Sequence, residues 1–166
     1  MVLENNEGWK DFSMIRLVAG RTTVEIITVE VSPPDRIFEL SVDNVFQGRI
    51  TFLEHQIPAV ALGDNWEIAI WGGTSIYLGS TKEGMQLFEQ DDEVHTAYPL
   101  NGLWCLVREI SVVLFNPLNA EMVFHYSHDE IILQSRWEGE ILILKDLRGR
   151  ELRFRYLPED YNMLVI

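Results

Sequence analysis

The sequence predicts a mostly β protein assembled from successive antiparallel hairpins. Short stretches in which apolar and polar residues alternate recur along the chain, and this alternation is the signal of a β-strand. Glycine, proline and asparagine punctuate these stretches, and no long segment shows the periodicity of a helix. At 166 residues the chain has the length of one compact domain, so we expect a single β-rich domain over residues 1–166.

The first third of the chain contains one clear strand and one ambiguous stretch. Residues 22–31 alternate and are rich in β-branched side chains, which suit a pleated surface. Pro33 and Pro34 end this strand because neither can donate to a sheet ladder. Residues 35–47 fit a strand or a short helix, since their apolar spacing is compatible with both, and we favour the strand.

From residue 66 onward, strand and turn signals follow one another regularly. Asn101 and Gly102 form a strong hairpin turn because both residues reach positive φ at low cost. The segment EILILK is apolar on both faces, which places it inside a sheet or between two layers. We predict strands in WEIAIW, TSIYLG, MQLF, VHTAYPL, LWCLVRE, ISVVLFNP, EMVFHYS, DEIILQSRW, EILILK and ELRFRY.

These segments also carry a faint internal repeat with a period of about 37 residues. Its possible copies are 66–102, 103–139 and 140–166, which align Trp66 with Trp104. The period is close to the roughly 40 to 45 residues of a propeller blade. Because any meander of hairpins looks self-similar, the fold class stays open among an antiparallel sandwich, a barrel and a propeller-like sheet.

Composition favours a soluble protein with a basic protein as its partner. The chain carries 26 acidic and 13 basic side chains, and the resulting charge of −13 repels nucleic acid and anionic membrane surfaces. Residues 1–99 hold most of the acidic excess, although this charge could simply keep a β-rich surface soluble. The sequence shows no signal peptide and no apolar stretch of membrane-spanning length, which predicts a cytoplasmic protein.

No motif for catalysis, metal binding or cofactor binding is recognisable, so we predict no enzyme activity and no cofactor. On a strand, His125 and His128 would point to opposite faces, and no third metal ligand is evident. Cys105 lies in an apolar stretch and is expected to be a buried core residue. Nothing shows that two carboxylates meet as in a glycosidase; the acids considered are Glu54, Glu67, Glu109 and Glu130.

The densest acidic cluster is the best candidate for a partner-binding site. It consists of Glu89, Asp91, Asp92 and Glu93, and we add Trp71 as an aromatic contact. Clustered carboxylates strengthen hydrogen bonds from arginine or lysine on a partner. A calcium loop would need regularly spaced carboxylates followed by a glycine, and that pattern is absent here.

A basic stripe near the C-terminus has two interpretations. The alternation of this segment places its aromatic residues on the face opposite the arginines, so it is not a surface for single-stranded nucleic acid. It could protect an edge strand from pairing with another chain, or it could form internal ion pairs. The stripe consists of Lys145, Arg148, Arg150, Arg153 and Arg155.

We therefore predict a non-enzymatic, acidic protein-binding domain. In its most concrete form it is an inhibitor or immunity-type protein that neutralises a basic partner such as a toxin. The alternatives are a carbohydrate-binding or carbohydrate-active β protein, which the five tryptophans keep open, and a self-associating structural module. The sequence leaves the oligomeric state and the identity of the partner open.

Overall fold

The computed structural model describes residues 14–19, 22–63, 67–80, 82 and 84–166, which form sixteen β-strands. None of these described residues forms a helix that could cross a membrane. The strands are β1 Met14–Ala19, β2 Thr22–Ser32, β3 Asp35–Val42, β4 Val45–Leu53, β5 Ala59–Leu62, β6 Glu67–Gly72, β7 Ser75–Ser80, β8 Gly84–Glu89, β9 Val94–Leu100, β10 Leu103–Arg108, β11 Ser111–Asn116, β12 Glu121–Ser127, β13 Ile132–Glu138, β14 Ile141–Asp146, β15 Glu151–Leu157 and β16 Asn162–Val165.

The described strands form four sheets, and each sheet is a meander of four strands consecutive in sequence. Sheet A has the order β1-β2-β3-β4 and sheet B the order β5-β6-β7-β8. Sheet C consists of β9 to β12 and sheet D of β13 to β16, again in sequence order. Where the structure describes the connections within a sheet, short turns join neighbouring strands, so hairpins are the building element there. The prediction of an all-β fold made of antiparallel hairpins is confirmed.

The four sheets fall into two compact units. The first unit holds sheets A and B, and the second holds sheets C and D. Glu89, the last residue of β8, groups with the second unit. That the two units behave as the single domain expected for residues 1–166 stays a prediction.

The ambiguous stretch at residues 35–47 forms strands, as favoured from its sequence, and the helix alternative is wrong. β3 ends at Val42, β4 begins at Val45, and these two residues pair directly. Asp43 and Asn44 make the two-residue turn between them with φ angles of 51° and 64°. Positive φ at both central residues gives the turn twist that suits a β-hairpin. The Asp43 carboxylate also accepts a hydrogen bond of 2.8 Å from the backbone N–H of Thr23, which fixes the turn against β2.

The core of the first unit is formed by the facing sides of sheets A and B. The Tyr77 hydroxyl connects the two sheets, because it accepts a hydrogen bond from the Thr51 amide at 3.0 Å and donates one to the Thr51 carbonyl at 3.2 Å. Phe52 packs edge-on against the ring of Tyr77 at a centroid distance of 5.5 Å. The buried members are Leu17, Val24, Ile26, Phe38, Leu40, Val42, Ile50, Phe52, Ile68 and Ile70.

The core of the second unit is formed in the same way by sheets C and D. Cys105 is fully buried within it, as predicted, and burial raises the pKa of its thiol well above the ordinary value. All but the first residue of EILILK belong to β14, which lies between β13 and β15, so the predicted interior position is confirmed. The buried members are Leu103, Cys105, Val107, Val112, Leu114, Ile132, Leu142, Leu144, Phe154, Tyr156 and Met163.

The internal repeat corresponds to the four-stranded sheet, but in a different frame from the predicted copies. The second strands of sheets B, C and D begin at Glu67, Leu103 and Ile141, so their spacing matches the expected period. The copies 66–102 and 103–139 therefore start at the second strand of one sheet and end with the first strand of the next. Sheet A is a further sheet that the sequence pattern did not include. Trp66, which opens the first copy, lies outside the described residues.

Candidate protein-binding site

Backbone hydrogen bonds join four loops at one end of the second unit. The Glu109 amide donates to the Glu93 carbonyl at 2.8 Å, and the Glu109 carbonyl accepts from the Ile132 amide at 2.7 Å. The equivalent bond in sheet D runs from the Leu147 amide to the Ile131 carbonyl at 2.9 Å. These bonds bring the four loops together into one continuous surface, which we call the loop face. It consists of residues 90–93, 109–110, 128–131 and 147–150.

Three of the four members of the predicted acidic cluster lie on this loop face, and they have different roles. Asp92 is structural, because its Oδ2 accepts hydrogen bonds from the Ile110 amide at 3.0 Å and the Ser111 hydroxyl at 3.3 Å. Asp91 and Glu93 are exposed and form no ion pair with a described residue. The exposed Glu89 belongs to β8 rather than to the loop. Asp91 and Glu93 are therefore the exposed carboxylates of the cluster on the loop face.

Trp71, the aromatic residue predicted to contact a partner, is buried. It lies on β6 in the first unit, and only 7% of its surface is exposed. Simple alternation would leave one face of β6 open, but Ala69 on the same face is fully buried as well. β6 therefore packs on both faces, and little of the Trp71 ring is available to a partner.

Charge on the loop face is predominantly negative. Glu130 and Asp129 are neutralised by ion pairs of 2.6 Å to Arg148 and 2.7 Å to Arg150. Glu109 forms no ion pair with a described residue. The loop face carries six carboxylates and two guanidinium groups. The carboxylates are those of Asp91, Asp92, Glu93, Glu109, Asp129 and Glu130.

Two exposed apolar side chains lie among these charges. Ile110 is 45% exposed on the turn between β10 and β11, and Leu147 is 56% exposed on the turn between β14 and β15. The backbone bonds that join the loops bring both turns onto the loop face. Apolar side chains next to unpaired charges can combine direct contact area with electrostatic selection of a partner.

A buried charge lies beneath the loop face at the same strand position in sheets C and D, but with opposite sign. Arg108 at the end of β10 is 3% exposed, and Asp146 at the end of β14 is 1% exposed. Arg108 donates to the Ser111 hydroxyl at 2.8 Å, and Ser111 in turn donates to Asp92. Buried charges need such partners, so each of them fixes the loops above it.

Asp146 is the centre of the more extensive of these two networks. Its Oδ2 accepts hydrogen bonds from His128 Nε2 at 3.0 Å and from Arg150 Nε at 2.6 Å. Its Oδ1 accepts a further bond from the Arg150 amide at 2.8 Å. Although burial acts to raise the pKa of Asp146, the hydrogen bonds from His128 and Arg150 outweigh it and hold the pKa well below its usual range. Sequence reasoning missed this carboxylate, because its partners come from different loops.

His125 and His128 do not converge on a metal site. His125 is exposed, with Nε2 at 3.2 Å from the Ser127 hydroxyl and 3.4 Å from the Arg108 guanidinium. His128 is instead engaged with Asp146. Within the part of the chain that the structure describes, no group of three or more His, Cys, Asp or Glu residues could hold a metal ion.

Three of the five residues of the C-terminal basic stripe form internal ion pairs. Arg148 and Arg150 pair with acids of the loop face, and Arg153 pairs with Glu151 at 3.3 Å. β15, which carries Arg153, lies between β14 and β16. The internal-pairing interpretation is therefore confirmed for these three arginines, and the interpretation as protection of an edge strand is wrong for β15.

The different roles of neighbouring aspartates predict different mutational effects. Replacing Asp92 with alanine leaves the Ile110 amide and the Ser111 hydroxyl without their acceptor, which we expect to lower the free energy of unfolding by about 1 to 2 kcal/mol. Replacing exposed Asp91 with alanine should change it by less than about 0.5 kcal/mol. Urea denaturation of both variants measures the difference. Equal stability of the two variants would show that Asp92 does not hold the loop face.

The described four-stranded antiparallel sheets are similar in fold to the blades of WD40 β-propeller domains, which are built from sheets of this kind. The WD40 domain of Toxoplasma gondii coronin is similar, with a TM-score of 0.56 and 10% identity over 81% of this chain and 40% of that chain. HIRA(644–1017) gives a TM-score of 0.55 and 8% identity over 92% of this chain and 52% of that chain. A chain of the mitotic checkpoint complex gives a TM-score of 0.59 and 7% identity over 92% of this chain and 61% of that chain.

The chain spans about half the length of these solved structures. No protein-family model matches the sequence, and no curated protein matches it either. At 7 to 10% identity the likeness itself establishes the fold.

Proposed function

We propose that this protein is a protein-binding domain without enzymatic activity, and that the loop face of its second unit receives a basic partner. The observation that carries the proposal is the pair Asp91 and Glu93, which are exposed, free of ion pairs with described residues and joined through the loop backbone to exposed Ile110. Lysine or arginine of a partner would form ion pairs with these carboxylates, while an apolar partner residue would cover Ile110. The use of WD40-like neighbours as protein-interaction modules supports this role.

The narrower form of this proposal is an inhibitor or immunity-type protein that covers the active site of a basic toxin or nuclease. The charge of −13 supports it, because opposite charges on two proteins accelerate their encounter. The association rate constant should then fall steeply as salt is added, since salt screens the attraction. The cytoplasmic location expected from the sequence also stays a prediction.

Charge reversal at the loop face tests the binding site. We expect the double substitution Asp91→Lys and Glu93→Lys to abolish or strongly weaken capture of the partner in a pull-down read by quantitative mass spectrometry. Glu159 and Asp160 provide a matched control, because they are exposed acids at the far end of β15 and form no ion pair with a described residue. Their replacement by lysine changes the net charge equally and should leave capture intact.

The pattern across the two double variants decides the proposal. Loss of one basic protein with the loop-face variant, and its retention with the Glu159 and Asp160 control, supports the loop face as the binding site. Equal loss with both variants would mean that only total charge matters. Retention with both would place binding elsewhere.

The carbohydrate alternative loses support from the described tryptophans. Trp71 and Trp104 are buried, and Trp137 packs against the core of the second unit, so these three do not form a sugar-stacking surface. The other two tryptophans, Trp9 and Trp66, lie outside the described residues. The self-association alternative is tested by light scattering over a range of protein concentrations.

A further inference from the structure

The outer face of sheet D has the opposite electrostatic character to the loop face. On β14 and β15, the side chains that face away from the core alternate with the buried residues Leu142, Leu144, Phe154 and Tyr156. Four basic residues and two acidic ones, from β13, β14 and β15, lie on this side of the sheet, in a protein whose net charge is −13. The basic residues are Arg136, Lys145, Arg153 and Arg155, and we call this side the cationic sheet face.

Ion pairs on the cationic sheet face leave part of its positive charge uncompensated. Arg136 contacts Glu138 at 3.0 Å and Glu151 at 3.6 Å, and Arg153 contacts Glu151 at 3.3 Å. The two acids, Glu138 and Glu151, are therefore paired with two arginines, Arg136 and Arg153. Lys145 and Arg155 are exposed and form no ion pair with a described residue.

Apolar side chains lie between these charges in register across the sheet. Ile141 on β14 pairs with Arg155 on β15, which pairs with Leu164 on β16. Leu164 is 52% exposed. In the neighbouring row, Ile143 lies between Arg136 and Arg153, which are half exposed. Ile143 itself is 1% exposed, as expected if the aliphatic parts of the two arginines cover it.

We propose that the cationic sheet face is a second docking surface, and that its occupant is an acidic segment of a partner protein with apolar residues among its carboxylates. Charge complementarity favours an acidic segment, because Lys145 and Arg155 form no ion pair with a described residue, whereas the chain as a whole is strongly acidic. Leu164 beside Arg155 favours a segment that brings an apolar side chain next to a carboxylate. The two surfaces would let one unit hold a basic and an acidic protein at once.

A protein segment fits this surface better than nucleic acid does. A continuous phosphate backbone would meet the carboxylates of Glu138 and Glu151 on the same face, and the charge of −13 would repel it. Binding of single-stranded nucleic acid also relies on aromatic side chains beside the basic ones. Phe154 and Tyr156 point instead into the core.

The test is fluorescence anisotropy of the full chain with a labelled nine-residue peptide of three Glu-Glu-Leu repeats. We expect saturable binding that the double substitution Arg153→Glu and Arg155→Glu weakens at least tenfold. Arg16→Glu with Arg49→Glu is the matched control, because both are exposed arginines of the first unit and the net charge changes equally. The control should stay within about twofold of the wild type, and circular dichroism checks that both variants are folded.

Three results would overturn the proposal. They are an absence of peptide binding to the wild-type protein, equal weakening in both double variants, and tighter binding of a nine-nucleotide oligothymidine than of the peptide. If the wild-type protein is a dimer and the double substitution Arg153→Glu and Arg155→Glu dissociates it, the cationic sheet face binds a second copy of this chain and not a partner segment. The Asp91→Lys and Glu93→Lys variant should bind the peptide at least as well as the wild type, which separates this proposal from that for the loop face.

Discussion

Replacing Phe154 with alanine should destabilise the protein by about 3 to 5 kcal/mol, the usual cost of emptying a fully buried phenylalanine site. The Phe154 side chain has no exposed surface and lies within the core between sheets C and D. Its ring packs edge-on against Tyr126 at a centroid distance of 5.0 Å and against Phe124 at 6.4 Å. Alanine removes both aromatic contacts and leaves a cavity between the two sheets.

Urea denaturation followed by circular dichroism measures this loss. Leu118 offers a control from the same unit, because it is 81% exposed on the turn between β11 and β12. Leu118→Ala should change the free energy of unfolding by less than about 0.5 kcal/mol. A loss below about 1 kcal/mol for Phe154→Ala would contradict the packing of sheets C and D around this ring.

Replacing Asp146 with asparagine should lower the melting temperature by roughly 10 °C at neutral pH, because it leaves Arg150 and His128 without their buried anion. Asparagine keeps the shape of the side chain, so the change isolates the charge. Asp129→Asn is the matched control on the same loop face. Asp129 pairs with the same arginine, but its side chain is 66% exposed, so we expect a change of less than about 2 °C.

The same variant should alter the dependence of stability on pH. The folded state lowers the pKa of Asp146, so its contribution is complete above the usual carboxyl value of about 3.9 and is lost as the pH falls below it. We expect the difference in melting temperature between wild type and Asp146→Asn to shrink as the pH is lowered from about 5 to 2. A difference that stays constant over that range would mean that the Asp146 charge does not stabilise the fold.

Local patterns predicted most of the strands because alternation and turn chemistry are properties of neighbouring residues. Asn101 and Gly102 turn with positive φ angles of 48° and 84°, as their residue types require. The turn at Asp43 and Asn44 was missed because it contains no glycine. β16 was missed since its four residues, Asn162–Val165, are too few to show a period.

The candidate site was predictable only in part. The acidic cluster stands out in the sequence, and three of its four members do lie on a loop. That Asp92 is bound to the Ile110 amide, eighteen residues further on, depends on how the loops meet in space. The same holds for Leu147, whose place on the loop face depends on its backbone bond to Ile131. The burial of Trp71 could not be predicted, because alternation does not reveal that β6 packs on both faces.

The most direct test of the loop face as a binding site is amide hydrogen exchange of the protein with and without its captured partner. The structure predicts that the partner slows exchange at residues 90–93, 109–110 and 147–150. The turns at the opposite end of the second unit, residues 139–140 and 158–161, should exchange at unchanged rates. Protection of those opposite turns, with none at the loop face, would contradict the account.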